Sequence, residues 1–272
     1  MYVTFDTQTF RSIVEPERQL RHPALADVER VHHAILLKSI RPLASEGMFA
    51  LEEIVRADRA SYLAKRKLEL KTGDEAVAVN QISFSVTIGP DHTTHPGLSV
   101  ESKRRFAAAE RLGFQYLNIP RFGLVRPSEF LGNRVYFNCG DDFHHFTAYA
   151  ERFGKVSEEL ESRGVGFSIA YRIGLRAQRR CGRRASWCEL LTDPRYFNES
   201  ERHELGAAVS EWCDGDLVAA HVAHGLTFIC TEDRGGKKQR QSVFNAANRE
   251  WIAREFGVQF VSLVELADSL PR

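Results

Sequence analysis

Two stretches decide the fold: Tyr2-Val3-Thr4-Phe5-Asp6-Thr7 at the start of the chain and, far downstream, Leu226-Thr227-Phe228-Ile229-Cys230-Thr231-Glu232-Asp233. Both are short apolar runs that expire in a threonine and an aspartate. Runs of this length and composition read as buried strands. If they are neighbours in a parallel sheet, their carboxylates converge at one edge, where open α/β sheets place their sites. Between them, Asp214-Gly215-Asp216 precedes Leu217-Val218-Ala219-Ala220, which reads as a helix with one of the two aspartates as its N-cap. Converging carboxylates repel one another, and the usual relief is a proton or a divalent cation. A magnesium-dependent enzyme is the first expectation.

Outward from these stretches, helical and strand signals alternate. Leu25, Val28, Val31, Ile35, Leu36 and Ile40 recur at helical spacing, a short strand follows at 41–44, and Ser45-Glu46-Gly47 opens another helix. Lys65-Arg66-Lys67 and Lys71-Thr72-Gly73-Asp74 read as a solvated helix end and a turn. Val77, Val79, Ile82, Phe84, Val86 and Ile88 alternate as strands do, in what looks like an insertion or lid. Helices are expected over 102–113, 143–164, 217–223 and 245–256, with strands over 114–119 and 259–263. This alternation predicts an α/β fold with a mainly parallel sheet.

Composition narrows the class. The 272 residues are 43% hydrophobic and 27% charged with a net charge of +1, an ordinary globular balance that argues against a generic nucleic-acid-coating protein. Five cysteines at irregular spacings do not form a disulfide framework and read as free thiols in a reducing compartment. The first strand begins at residue 2, which leaves no space for a signal segment, and no apolar run reaches membrane-spanning length. A cytoplasmic protein without membrane contact is expected. His92, His95, His144, His145, Cys181 and Cys188 lack the paired short spacing of a structural zinc site.

The assembled motifs resemble the PIN-domain nuclease family, which includes many toxin–antitoxin endonucleases. Residues 2–7 look like the family's opening strand and first metal-binding aspartate. Asp216-Leu217-Val218-Ala219-Ala220 looks like its aspartate-bearing helix, and Thr231-Glu232-Asp233 like its Thr-x-Asp after the next strand. The resemblance covers 1–60 and 205–272, is thinner over 101–165, and implies one three-layer α/β/α domain over 1–272 with inserted segments at 64–100 and 168–205. It implies Mg²⁺ or Mn²⁺ held by Asp6, Asp216 and Asp233, with Asp214 as cap or second acid. A glutamate on the helix after the second strand completes the set: Glu46 and Glu53 rank equally, and Glu52 looks outward-facing. RNA is the implied substrate, with DNA open, as are an antitoxin or other protein partner and a homodimer.

The residues alone add two basic segments. Arg234, Lys237, Lys238 and Arg240 follow Asp233 directly and are expected to bind substrate phosphates. Residues 172–184 carry six arginines, either a solvated face or a second phosphate contact. A catalytically silent PIN-like module that binds RNA or protein is one alternative. Another is a haloacid-dehalogenase-like phosphatase, because Asp6-Thr7-Gln8-Thr9 echoes that family's Asp-x-Asp-x-Thr; Gln8, however, stands where its general acid belongs.

Overall fold

The structure, a computed structural model, describes residues 1–59, 66–72, 84–90, 97–120, 136–137, 143–182, 197–235 and 242–271. In chain order the strands are β1 (Tyr2–Phe5), β2 (Arg41–Ser45), β3 (Arg66–Thr72), β4 (Phe84–Pro90), β5 (Gln115–Leu117), β6 (Phe228–Cys230) and β7 (Gln259–Val261). The helices are α1 (Thr7–Val14), α2 (Pro16–Gln19), α3 (Leu25–Leu36), α4 (Val100–Arg111), α5 (Phe143–Ser162), α6 (Phe167–Arg180), α7 (Glu199–Ala223), α8 (Ala246–Phe256) and α9 (Leu263–Asp268). A π-helical turn spans Met48–Glu52.

Five strands form one all-parallel sheet in the order β5-β2-β1-β6-β7. The chain builds outward from β1 through β2 to β5, then returns to the other side of β1 for β6 and β7. The strand order therefore reverses between β1 and β6, which is the topological switch point of an open sheet. The two apolar runs that end in Asp6 and Asp233 are those neighbours, with Thr4 opposite Ile229 and Phe5 opposite Cys230.

Period-two alternation along the strands separates two cores and so produces three layers. Val3, Phe5, Ala44, Tyr116 and Cys230 face a cluster completed by α1, α3, α4 and α9. Leu43, Leu117 and Ile229 face the opposite cluster, completed by α5, α7 and α8. The first core is built on aromatic rings: Phe10 lies 5.0 Å from Phe114, and Phe49 lies 5.2 Å from Tyr116, both edge to face. Thr4 points into the second layer, where its hydroxyl lies 2.8 Å from Nδ1 of the fully buried His221. Burial drives the His221 pKa down to about 3, so this contact joins two neutral groups.

Helix α7 corrects the expectation of a helix starting at Leu217. It begins eighteen residues earlier, behind a capping box in which Asn198 accepts from the Glu201 amide and Glu201 accepts from the Asn198 amide. At 25 residues it is about 37 Å long. Asp214 and Asp216 thus lie inside the helix, and neither is a cap. Gly215 serves close packing instead: a Cβ there would meet the Cα of Gly166 at 3.0 Å. Gly206 has the same function one layer away, since a Cβ would meet the Arg56 carbonyl oxygen at 2.7 Å.

One further expectation is revised. Residues 66–72 form a strand, paired antiparallel with β4 from Arg66 opposite Pro90 to Thr72 opposite Phe84. Leu68 and Leu70 carried that period-two signal, but the flanking lysines read as a helix end. Within 168–205, α6 packs along the N-terminal half of α7 through Ala170, Ile173, Ala177, Leu205, Ala208 and Val209, adding a third core.

Candidate active site

Asp6 ends β1 and caps α1, the natural position for a carboxylate that accepts from a first-turn amide. Its Oδ1 accepts from the Thr9 amide at 2.7 Å and from the Thr9 hydroxyl at 2.6 Å, while Oδ2 accepts from the Thr231 hydroxyl. Thr231 leaves β6 beside it, so the Thr-x-Asp after β6 and the Asp after β1 are locked together across the switch point. Asp6 is 3% exposed. Burial pushes its pKa up and the Asp233 charge adds to this, against the pull of the threonine hydrogen bonds. Three donors leave about one of the four lone-pair positions of this carboxylate for another partner.

Asp233 folds back on its own backbone: its amide donates to the Thr231 hydroxyl at 3.0 Å, and its Oδ1 accepts from the Gly235 amide at 2.7 Å. Gly235 has φ +85° there, and a Cβ would meet Asn245 at 2.9 Å, so only glycine fits this turn.

The glutamate that joins them is Glu52, which the sequence suggested faces outward. The amide of Glu53 donates to the carbonyl of Met48, five residues back, at 3.0 Å. That wide turn inserts one residue relative to an α-helix and rotates the downstream side chains by about 100°. Glu52 is thereby turned toward the start of α1, where it accepts from the Thr7 hydroxyl. Burial raises its pKa to about 6, with the Asp6 charge adding to this against Thr7, Arg59 and Arg11.

The other two glutamates are committed elsewhere. Glu53 is paired with Arg11 at 2.8 Å and Arg105 at 2.5 Å and accepts from the Ser102 hydroxyl. Burial opposes its charge, but those partners outweigh it and hold the carboxyl below its ordinary range. Glu46 is 1% exposed and accepts from the Ile119 amide at 2.9 Å, tying the end of β2 to the exit of β5.

On α7 the two aspartates lie in different surroundings. Asp216 is 1% exposed and accepts from the Trp212 indole at 2.8 Å. Asp214 is half-buried and its pKa is well above the usual carboxylate range, first through burial and then through Glu52, Glu211, Asp6 and Asp233. The acids that sense one another across the switch point are therefore Asp6, Glu52, Asp214 and Asp233. Glu211, one helical turn before Asp214, borders the group and accepts from the Val243 amide at 3.1 Å.

An all-oxygen donor set of this kind suits hard divalent cations. Asp6, Glu52 and Asp233 are nonetheless each held by hydrogen bonds of their own, and among the described residues no three His, Cys, Asp or Glu side chains already form a metal cage. Of the basic residues expected to bind substrate, Arg234 is exposed beside Asp233, whereas Lys237, Lys238 and Arg240 lie outside the described residues. Arg249 of α8 was not singled out by sequence. Its guanidinium lies 3.4 Å from the Asp233 carbonyl and 5.0 Å from the centre of the Phe260 ring. In the arginine run, Arg176 pairs with Glu204 at 2.6 Å and Arg180 with Glu201 at 2.9 Å, while Arg183 and Arg184 lie outside the described residues.

No helix among the described residues is long and apolar enough to cross a membrane. Comparison with protein-family models, curated proteins and solved structures returns no match.

Proposed function

We propose that the chain is a metal-dependent phosphodiesterase, an endoribonuclease of the PIN type its motifs resemble. What supports this reading is the pairing of β1 with β6, which brings Asp6 against Thr231 of the Thr-x-Asp segment, together with the mutual charge effects of Asp6, Glu52, Asp214 and Asp233, three of them with pKa values raised by burial and by one another. A cluster that resists its own ionisation is stabilised when a divalent cation binds it. Asp6 and Asp233 would hold Mg²⁺ or Mn²⁺ from the two strand ends, with Glu52 and Asp214 closing from the π-helical turn and α7. A bound cation supplies the chemistry that carboxylates lack, acidifying water and neutralising charge on phosphate oxygens. The threonine hydroxyls aim Asp6, the Gly235 amide aims Asp233, and Arg234 and Arg249 offer cationic donors to a phosphate arriving beside them.

The phosphatase alternative is weakened by Asp6 itself, whose oxygens take three hydrogen bonds, and by Gln8, which is exposed on α1. The silent-module alternative draws on the separate tethering of Asp6, Glu52 and Asp233 and on the lack, among the described residues, of a preformed metal cage. Thermal melting in EDTA and in millimolar Mn²⁺, alongside cleavage of an end-labelled RNA, separates the readings. An active enzyme gains melting temperature with metal and cuts only in its presence. A silent module shows neither effect.

A further inference from the structure

A cleft of about 540 Å³ opens between α6 and α7, lined by the exposed Arg56, Arg172 and Arg176, by Glu204 and Glu211, and by Ile169 and Ile173. Its volume lies within the range of about 300–1,000 Å³ typical of small-molecule sites, enough for a piece of single strand. Glu204, Ala207, Ala208 and Glu211 recur at three- and four-residue spacing, so one face of α7 walls the cleft. The next position on that face, three residues past Glu211, is Asp214. The cleft therefore ends about 4.5 Å along the helix axis from the acid group, and Asp214 senses the Glu211 charge directly.

We infer that this cleft is the track for a single-stranded RNA leaving the acid edge, with Arg56, Arg172 and Arg176 receiving its phosphates. The inference rests on the hydrolase reading above and adds to it a location and a direction. Charge favours it. Arg56 is exposed. Arg172 uses one nitrogen on the Gly164 carbonyl at 2.9 Å and keeps its other donors. The Arg176–Glu204 pair is solvent-exposed, with side chains 53% and 43% accessible, and exposed pairs exchange partners at little cost. The Glu211 carboxylate is engaged by the Val243 amide. Apolar side chains beside exposed cations give bases a surface to lie on while the backbone is held, the sequence-tolerant arrangement of single-strand binders.

The test uses the full chain in EDTA, where no cleavage occurs, and a fluorescein-labelled ten-nucleotide oligouridylate read by anisotropy across a salt series. Replacing Arg56, Arg172 and Arg176 together with alanine is expected to weaken binding at least tenfold. It should also reduce the slope of log affinity against log salt by about 2, from about 0.7 per phosphate contact on a single strand. Glu204→Gln, a single exposed change that removes the nearer carboxylate from Arg176 and leaves it only the 3.6 Å contact with Glu201, is expected to tighten binding severalfold and so guards against a triple variant that folds poorly. Unchanged affinity and slope in the triple variant, or no gain in Glu204→Gln, overturns the track. The Mn²⁺ melting shift distinguishes the two levels. If it persists in a triple variant with unaltered RNA affinity, the track is wrong and the acid site stands. If wild type shows neither metal shift nor RNA binding, both fall.

Discussion

Glu52→Gln is the perturbation whose outcome follows most directly from the electrostatics of the site. Burial lifts this carboxyl from its ordinary value of 4.5 to about 6, with Asp6 adding to the rise. A folded value above the unfolded one means that the native state holds the proton more tightly. The associated stability is complete below about 4.5 and is lost as pH rises through about 6. At 1.36 kcal/mol per pH unit, the gap corresponds to about 2 kcal/mol. Wild type at pH 8 carries that cost in the absence of metal; the glutamine variant does not. The amide keeps an oxygen for the Thr7 hydroxyl, so the local hydrogen bond survives the change. Urea denaturation in EDTA at pH 4.5 and pH 8 reads the effect as a difference of differences. Contributions from His221 and His224, both depressed chiefly by burial, are common to the two proteins and cancel. The variant should gain about 2 kcal/mol on wild type between the two pH values and lose most of the Mn²⁺-induced stabilisation. An equal stability difference at both pH values would refute the claim that Glu52 is part of the acid group.

Three other perturbations probe separate links. Asp6→Asn keeps a carbonyl for Thr9 and a donor for Thr231, so the protein should melt at or above the wild-type temperature while RNA cleavage falls at least about 100-fold; near-normal cleavage would place the chemistry elsewhere. Gly206→Ala forces a Cβ to 2.7 Å from the Arg56 carbonyl oxygen, so overpacking should cost about 1–3 kcal/mol in urea denaturation, and an unchanged midpoint would count against the close helix contact. Lys38, at φ +60°, is the one non-glycine residue with positive φ among those described; Lys38→Gly should raise stability by about 0.5–1 kcal/mol, and a loss would show that its side chain holds the turn after α3.

The sheet and both strand-end aspartates were legible because they rest on local signals: a short apolar run, a polar terminus and alternation. The helix start at Glu199 was not, because Asp214-Gly215-Asp216 imitates a cap, whereas Gly215 is there to let α7 approach Gly166. The outward reading of Glu52 failed for a different reason. Spacing rules assume 3.6 residues per turn, and the π-helical turn over Met48–Glu52 adds one, so Glu52 turns inward to Thr7 while Glu53 is also buried, between Arg11 and Arg105. The different surroundings of the two α7 aspartates were hidden similarly, since no spacing rule reveals that the Trp212 indole, one turn earlier, donates to one oxygen of Asp216. Arg249 carries no signal of its own beyond one cation on a helix; its meaning comes from lying against the Asp233 carbonyl.

The central claim is that Asp6, Glu52, Asp214 and Asp233 share a divalent cation. Crystals soaked in Mn²⁺ and measured for anomalous scattering test it most directly. The account predicts a peak at the switch point between β1 and β6, bonded to carboxylate oxygens of Asp6 and Asp233 and reached from the other side by Glu52 or Asp214. A fully occupied peak elsewhere, with these carboxylates still on their threonine and backbone partners, would contradict it.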